Sequence, residues 1–375
     1  VALADFSTKF TPIPATVLDD YAMQVFRQVI TDTDLHEPLW REHFTRLRQF
    51  AEAGYGRKFT DAANFWEFEK FQQMQLNLAH FAGHKQQALT EELRRLLLDA
   101  KGNKLPLSKF QEAAADILKL HNVTYLRAEL TTATQVGQAV ESWQEIQRRK
   151  AIYPNLRYDT AGDARVRPKH VLLDGATHPV DSPFWDTHYP PNGWRCRCKV
   201  LQTDEPENGK IANFQPDKGF RQNAGKTGKI FGDDHPYFDV TTLDAERVQS
   251  QANNYLAALD KADTTKLAIA RYAGDRLAFP AGLVDITDSA INALVAQAHE
   301  LEAIRNNLLT AFKLILPELK AAGETLSNSP EHPNWTKFVH YALDLIGEVF
   351  YLNIRQVRVA EGEYIYQLHS ITSTI

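Results

Sequence analysis

Residues 165–200, RVRPKHVLLDGATHPVDSPFWDTHYPPNGWRCRCKV, constrain this chain more than any other stretch. Pro168, Pro179, Pro183, Pro190 and Pro191, with Gly175 and Gly193, interrupt every helical or alternating period, so the segment cannot be one long helix. Trp185, Trp194, Phe184 and Tyr189 make it too aromatic for a disordered linker. A loop of this kind has to be held by something other than ladder hydrogen bonds: aromatic packing, a metal or a partner surface.

The stretch also contains both cysteines of the chain, Cys196 and Cys198. One intervening residue makes them poor disulfide partners, because so small a closed ring is strained. The pair therefore points to a reducing compartment, with free thiols or metal ligands. Cys196 and Cys198 with His170 and His178, or with His188 in place of His178, are the donor types of a tetrahedral zinc site. A one-residue spacer is less usual than two, and the competing reading is packed thiols beside hydrogen-bonded histidines. A full set of four protein donors would leave no open position, which makes such a zinc structural rather than catalytic.

Charge is uneven. The whole chain carries −5, which favours neither sequence-independent nucleic-acid binding nor membrane attachment by the molecule as a whole. Between residues 145 and 199, however, ten Lys/Arg face six Asp/Glu. Arg165 and Arg167 would project to one side of an extended segment, and Arg195 and Arg197 repeat the pattern. Paired guanidinium groups suit phosphate or carboxylate partners. They fit either local ion pairs or a basic surface toward nucleic acid or an acidic partner.

Around this centre, the first 150 residues read as helices: 19–30, 38–53, 61–99, 108–121 and 125–150, after an extended arm over 1–13. Phe65, Phe68, Phe71 and Met74 recur every three residues, a helix-packing stripe. Residues 203–234 read as an irregular tail and linker. Helical periodicity returns at 243–262, 266–272, 287–316 and 336–345. Residues 349–359 and 364–372 are β-branched and aromatic around a short turn, a hairpin signal. No apolar run approaches a membrane span. The fold class expected is mainly α, with an irregular central motif domain over 123–230 between a helical region, 1–122, and a C-terminal α+β module, 231–375, ending in an antiparallel hairpin.

The motif order is specific. Arg165-Val166-Arg167-Pro168-x-His170, Leu173-Asp174-Gly175, Ser182-Pro183-Phe184-Trp185-Asp186 and Tyr189-Pro190-Pro191-Asn192-Gly193-Trp194-x-Cys196-Arg197-Cys198 resemble the head-morphogenesis family of tailed phages, the Mu-type minor head protein F. The resemblance runs from about Tyr125 to about Gly228 and takes in the Tyr158-Asp159-Thr160 strand. It closes on Pro216-Asp217-Lys218-Gly219-Phe220 and Asn223-Ala224-Gly225, where the family more often has Pro in place of Ala224. It implies a structural minor head protein located in the virion head, and in the host cytoplasm during assembly. The portal and other head proteins, and packaged DNA, are the partners it implies; no membrane is involved.

The C-terminal module is similar, without a sharp signature, to the barnase–EndoU–colicin–RelE group of nucleases. That similarity implies a toxin-like, metal-independent ribonuclease as the alternative function, with RNA as substrate. His299, Arg355, His369 and Thr372 have the chemistry for the general acid, base and cation. Strict alternation would put His369 and Thr372 on opposite faces of the last strand, against that assignment. His332 and His340 receive no role.

Overall fold

The computed structural model describes residues 9–210, 214–297 and 301–375. It divides into two compact units, one formed by Val1–Lys58 with Gln73–Ala252 and one by Phe59–Gln72 with Asn253–Ile375.

The first unit is built on helices. They are α1 (Ala15–Phe26), α2 (Glu37–Tyr55), α3 (Phe65–Arg95, the part from Gln73 onward), α4 (Leu107–Lys119) and α5 (Leu126–Arg149). Pro14 precedes α1, and Gly56, at φ 83°, ends α2 where a left-handed residue is needed. Trp40 stacks on Phe44 at 5.0 Å and donates its indole N–H to the Ala79 carbonyl at 3.0 Å. α2 and α5 cross where each sets a glycine against the other's backbone. A Cβ at Gly54 would collide with the Thr134 carbonyl, and one at Gly137 with the Ala51 carbonyl. Between α4 and α5 the chain widens into a π-helical turn, Leu120–Tyr125. The fully buried Lys85 ammonium lies there, paired with Glu129 and 3.5 Å from the His121 carbonyl.

After α5 the chain forms a small sheet of β1 (Asn155–Asp159), β2 (Thr177–Pro179) and β3 (Lys199–Thr203) in the order β2-β1-β3, all antiparallel. Short helices α6 (Pro168–Val171) and α7 (Phe184–His188) decorate it, and α8 (Ala224–Thr227) follows. The motif region is ordered and packs on α5. Tyr189 donates to the Ala139 carbonyl at 3.0 Å, Gln202 to the Ile146 carbonyl at 3.0 Å, and Trp143 meets the Tyr189 ring edge-on at 5.1 Å. A Cβ at Gly225 would overlap the Trp143 side chain, which is why α8 can lie so close. Trp185 is fully buried and donates to the Pro179 carbonyl at 3.0 Å, while Trp194 packs on Phe220 and His235. Aromatic burial does what ladder bonds cannot do over such irregular backbone.

The second unit holds the six-stranded sheet. Helix α9 (Thr242–Tyr272), whose part from Asn253 belongs here, precedes β4 (Arg276–Phe279) and β5 (Gly282–Asp285). Then come α10 (Asp288–Ala296), α11 (Glu302–Leu309) and α12 (Phe312–Ile315). The chain ends in β6 (Lys320–Leu326), β7 (Trp335–Leu345), β8 (Glu348–Ala360) and β9 (Glu363–Thr372). Strand order is β4-β5-β9-β8-β7-β6, with only the β5–β9 pair parallel among these neighbours. The β8–β9 hairpin is the one the sequence announces.

Four expectations need correction. Residues 336–345 are a strand, not a helix: Val339, Tyr341, Leu343 and Leu345 alternate into the core, a period of two that pairing with β6 and β8 fixes. The expected helix over 287–316 is broken. Gln297 is extended at ψ 138°, and Ala311 (φ −124°, ψ 17°) parts α11 from α12. Residues 243–262 and 266–272 form one helix, α9. The strands β4, β5 and β6 have no counterpart in the sequence reading: β4 and β5 have only four residues each, and β6 is almost wholly exposed, so no apolar alternation marks it. Among the described residues no helix is long and apolar enough to cross a membrane.

Candidate metal centre

Pro168 at the first position of α6 fixes the helical entry that swings His170 inward, and His170 is 1% exposed. Arg195, at φ 56°, takes a left-handed turn, and the Cys196 N–H closes it on the Gly193 carbonyl at 3.1 Å. Cys198 follows at the mouth of β3. His170, Cys196 and Cys198 meet, with their ligand atoms all within 4.8 Å of one another. His170 Nδ1 is 3.5 Å from Cys196 Sγ and 3.7 Å from Cys198 Sγ. In a tetrahedral zinc site, bond lengths of ~2.3 Å to sulfur and ~2.0–2.1 Å to nitrogen put those atoms about 3.5–3.6 Å apart. The three donors therefore fit a zinc ion.

The two thiols shift in opposite directions. Cys196 is pulled well below its usual range, first by its hydrogen bond with Cys198, then by His170 and by backbone bonds from Asn192 and Cys198, with burial opposing. Cys198 is pushed well above its usual range, first by the bond to Cys196 and then by burial, so the pair shares one proton. Metal binding would displace it, since a coordinating thiol is deprotonated. Behind them the fully buried Asn192 amide donates to Tyr158 Oη at 3.1 Å. The Tyr158 hydroxyl, raised by burial and then by the charges of Cys196 and Cys198, is left to donate toward Cys198. His170 Nε2 is buried and has no hydrogen-bond partner among the described residues.

The other two histidines stand apart from this group. His178 uses both ring nitrogens, Nδ1 with Glu207 and Nε2 with the Lys210 carbonyl, each at 2.9 Å. His188 does likewise, with Thr187 at 2.8 Å and the Phe214 carbonyl at 3.1 Å. Both serve as packing surfaces for Phe184, at 4.3 and 4.6 Å. Among the described residues the cluster thus offers three donors rather than four.

The arginines have local partners. Arg197 grips Asp163 with two bonds of 2.6 and 2.7 Å, and Arg165 reaches the same carboxylate at 3.1 Å. Together they hold Asp163 well below the usual carboxylate range, Arg197 most strongly. Arg167 donates to the Trp194 carbonyl, and Arg195 is exposed. One carboxylate thus collects one member of each arginine pair, an arrangement that spacing alone does not reveal.

Of the C-terminal candidates, His299 lies outside the described residues. Arg355 donates to Gln367 at 3.0 Å and lies 4.6 Å over the Trp335 ring. The pairing slips between Asn353 opposite Ser370 and Ile354 opposite Leu368, so His369 is the extra residue of a bulge. Its ring sits 5.0 Å from Phe338, which pairs with Arg355. Asn353, two residues from Arg355 on β8, donates to Ser370 at 2.8 Å and to Thr372 at 3.0 Å. The bulge therefore overturns the alternation: His369 and Thr372 share one face with Arg355.

Residues 74–201 match the family described as Phage Mu protein F like protein. This segment is Mu F-like. It begins earlier than the motif resemblance, within α3, and ends at Leu201, before the Pro216–Gly225 motifs. The Mu F-like segment thus contains all three donors of the metal cluster. The capsid assembly protein F of Escherichia phage Mu is 30% identical over 107 residues, 28% of this chain and 22% of that protein. The Mu-like prophage FluMu F protein of Haemophilus influenzae is 35% identical over 82 residues, 22% of this chain and 19% of that protein. The match spans about a fifth of each relative's length. No solved structure matches the chain.

Proposed function

We propose that this chain is a minor head protein of a tailed phage or prophage, acting structurally near the portal vertex during head assembly. The observation that carries this reading is the Mu F-like segment, one of whose relatives is named for capsid assembly. Its motif region is held by aromatic burial and a three-donor cluster. In this reading zinc sits at His170, Cys196 and Cys198 and clamps the loop, with Tyr158 and Asn192 supporting the thiolates. Portal and other head proteins are the partners; Arg195 and the neighbouring basic surface are available to packaged DNA. The protein resides in the virion head, and in the host cytoplasm during assembly.

The test is genetic and biochemical. Heads purified from a phage or prophage carrying this chain should contain it, and heads lacking it should fail to mature. Its absence from purified heads, with normal yields after deletion, would overturn the proposal.

A second reading, a toxin-like metal-independent ribonuclease in the C-terminal unit, is favoured by one observation. The bulge in β9 gathers His369, Thr372 and Arg355 on a single sheet face.

A further inference from the structure

We infer that the sheet surface around Trp335 is an RNA-cleaving site in which His332 and His369 form the proton-transfer pair and Arg355 holds the scissile phosphate. This rests on the ribonuclease reading and deepens it: the second imidazole is His332, which the sequence leaves without a role, rather than His299.

The geometry is that of three basic side chains converging on one indole. His332 lies on the turn before β7, where its N–H donates to the Ser329 carbonyl at 3.3 Å and its own carbonyl accepts from the Trp335 N–H at 3.0 Å. Its ring stacks on Trp335 at 4.0 Å and 14°. Arg355 places its guanidinium carbon 4.6 Å from the same ring, and His369 approaches it at 5.4 Å and 68°. His332 is exposed, while Trp335, Arg355 and His369 are half-buried, so the cluster is reachable from solvent.

No carboxylate among the described residues comes within ion-pair distance of these three groups. Elsewhere on the chain arginines find acidic partners, as Arg165 and Arg197 find Asp163. Basic groups gathered without a counter-charge, on a partly desolvated surface, fit a phosphate-bearing ligand.

The chemistry selects the substrate. RNA carries an attacking group of its own, the 2′-hydroxyl beside the scissile phosphate, which a neighbouring imidazole can deprotonate. Neutral His369 takes the proton from O2′ as O2′ bonds to phosphorus and the P–O5′ bond breaks. Protonated His332 gives its proton to the departing O5′, and Arg355 donates to the non-bridging oxygen on which charge grows. The products are a 2′,3′-cyclic phosphate and a 5′-hydroxyl end. Burial, with Arg355 and His332 beside it, disfavours the charged form of His369, which suits it to the base role.

The test uses the full chain with a labelled RNA oligonucleotide, its DNA counterpart and a 2′-O-methyl RNA, all in EDTA. The RNA should be cut to cyclic-phosphate ends and the other two left intact. His332→Ala and His369→Ala should each slow cleavage by about 10²–10⁴-fold, and Arg355→Gln should also slow it, with unchanged melting temperatures. His332→Gln serves as a second probe of an exposed position where folding is not at stake. If His332→Ala and His332→Gln cut at the wild-type rate while His369→Ala or His299→Ala is inactive, the assignment of His332 fails and the ribonuclease reading stands. If the wild-type chain cuts no RNA in EDTA, both fail.

Discussion

Cys196, Cys198 and His170 hold a metal-compatible geometry only because three separate devices converge: a proline-started helix, a left-handed turn at Arg195 and the approach to β3, which starts one residue after Cys198. Binding energy at such a site is folding energy, roughly 10–16 kcal/mol in structural zinc peptides near pH 7. That exceeds or matches the stability of a typical domain. Cys196→Ser and His170→Ala should therefore each abolish stoichiometric zinc, measured by elemental analysis, and lower the melting temperature by about 10 °C or more. His178→Ala should leave zinc content intact, because that ring is occupied by Glu207 and the Lys210 carbonyl. A wild-type protein prepared without chelator and carrying almost no zinc would reject the site. At this scale the sequence shows the donor types but not their selection. Within residues 165–200 three histidines precede the cysteines, and only backbone geometry decides which one meets the thiols.

At the level of elements, close approach and burial set the costs. Because α2 and α5 touch through Gly54 and Gly137, Gly137→Ala must push the Ala51 backbone aside. Overpacking of this kind costs about 1–3 kcal/mol or more. Gly102→Ala meets nothing within 4 Å, and its φ of 81° costs only about 1 kcal/mol. Chemical denaturation of the two variants should rank them in that order. The tail of the motif region makes a pH prediction. His235 sits among Phe81, Trp194 and Phe231, and its Nδ1 accepts the Tyr237 N–H at 3.1 Å. Burial lowers it from 6.5 to about 4, with Asp234 opposing weakly. Above 6.5 both folded and unfolded forms are neutral and the group is silent. Between 6.5 and 4 only the unfolded chain gains the proton, so stability falls through that window, by about 3 kcal/mol at its foot. His235→Gln should flatten that part of the stability-against-pH curve; an unchanged curve would exclude the mechanism.

For the whole molecule, two compact units should unfold in two calorimetric transitions. EDTA should lower the one belonging to the unit with the cysteines and leave the other in place; a single transition displaced as a whole would contradict this. Amphipathic periods, helix stops such as Gly56, and the turn between β8 and β9 are local, so residues within a few positions of each other determine them. That is why the N-terminal helices and the last hairpin are legible in the sequence, as is the Mu F-like motif order. The strand at 335–345 is different: its apolar alternation also reads as a short helical stripe, and only pairing with β6 and β8 resolves the ambiguity. So too with the sites. The sequence determines that cysteines, histidines and arginines are present in a proline-broken aromatic loop. The tertiary structure decides that His170 joins the thiols, that Asp163 gathers Arg165 and Arg197, and that a bulge turns His369 to the side of Arg355. Those outcomes depend on contacts between residues far apart in the chain, which no local pattern encodes.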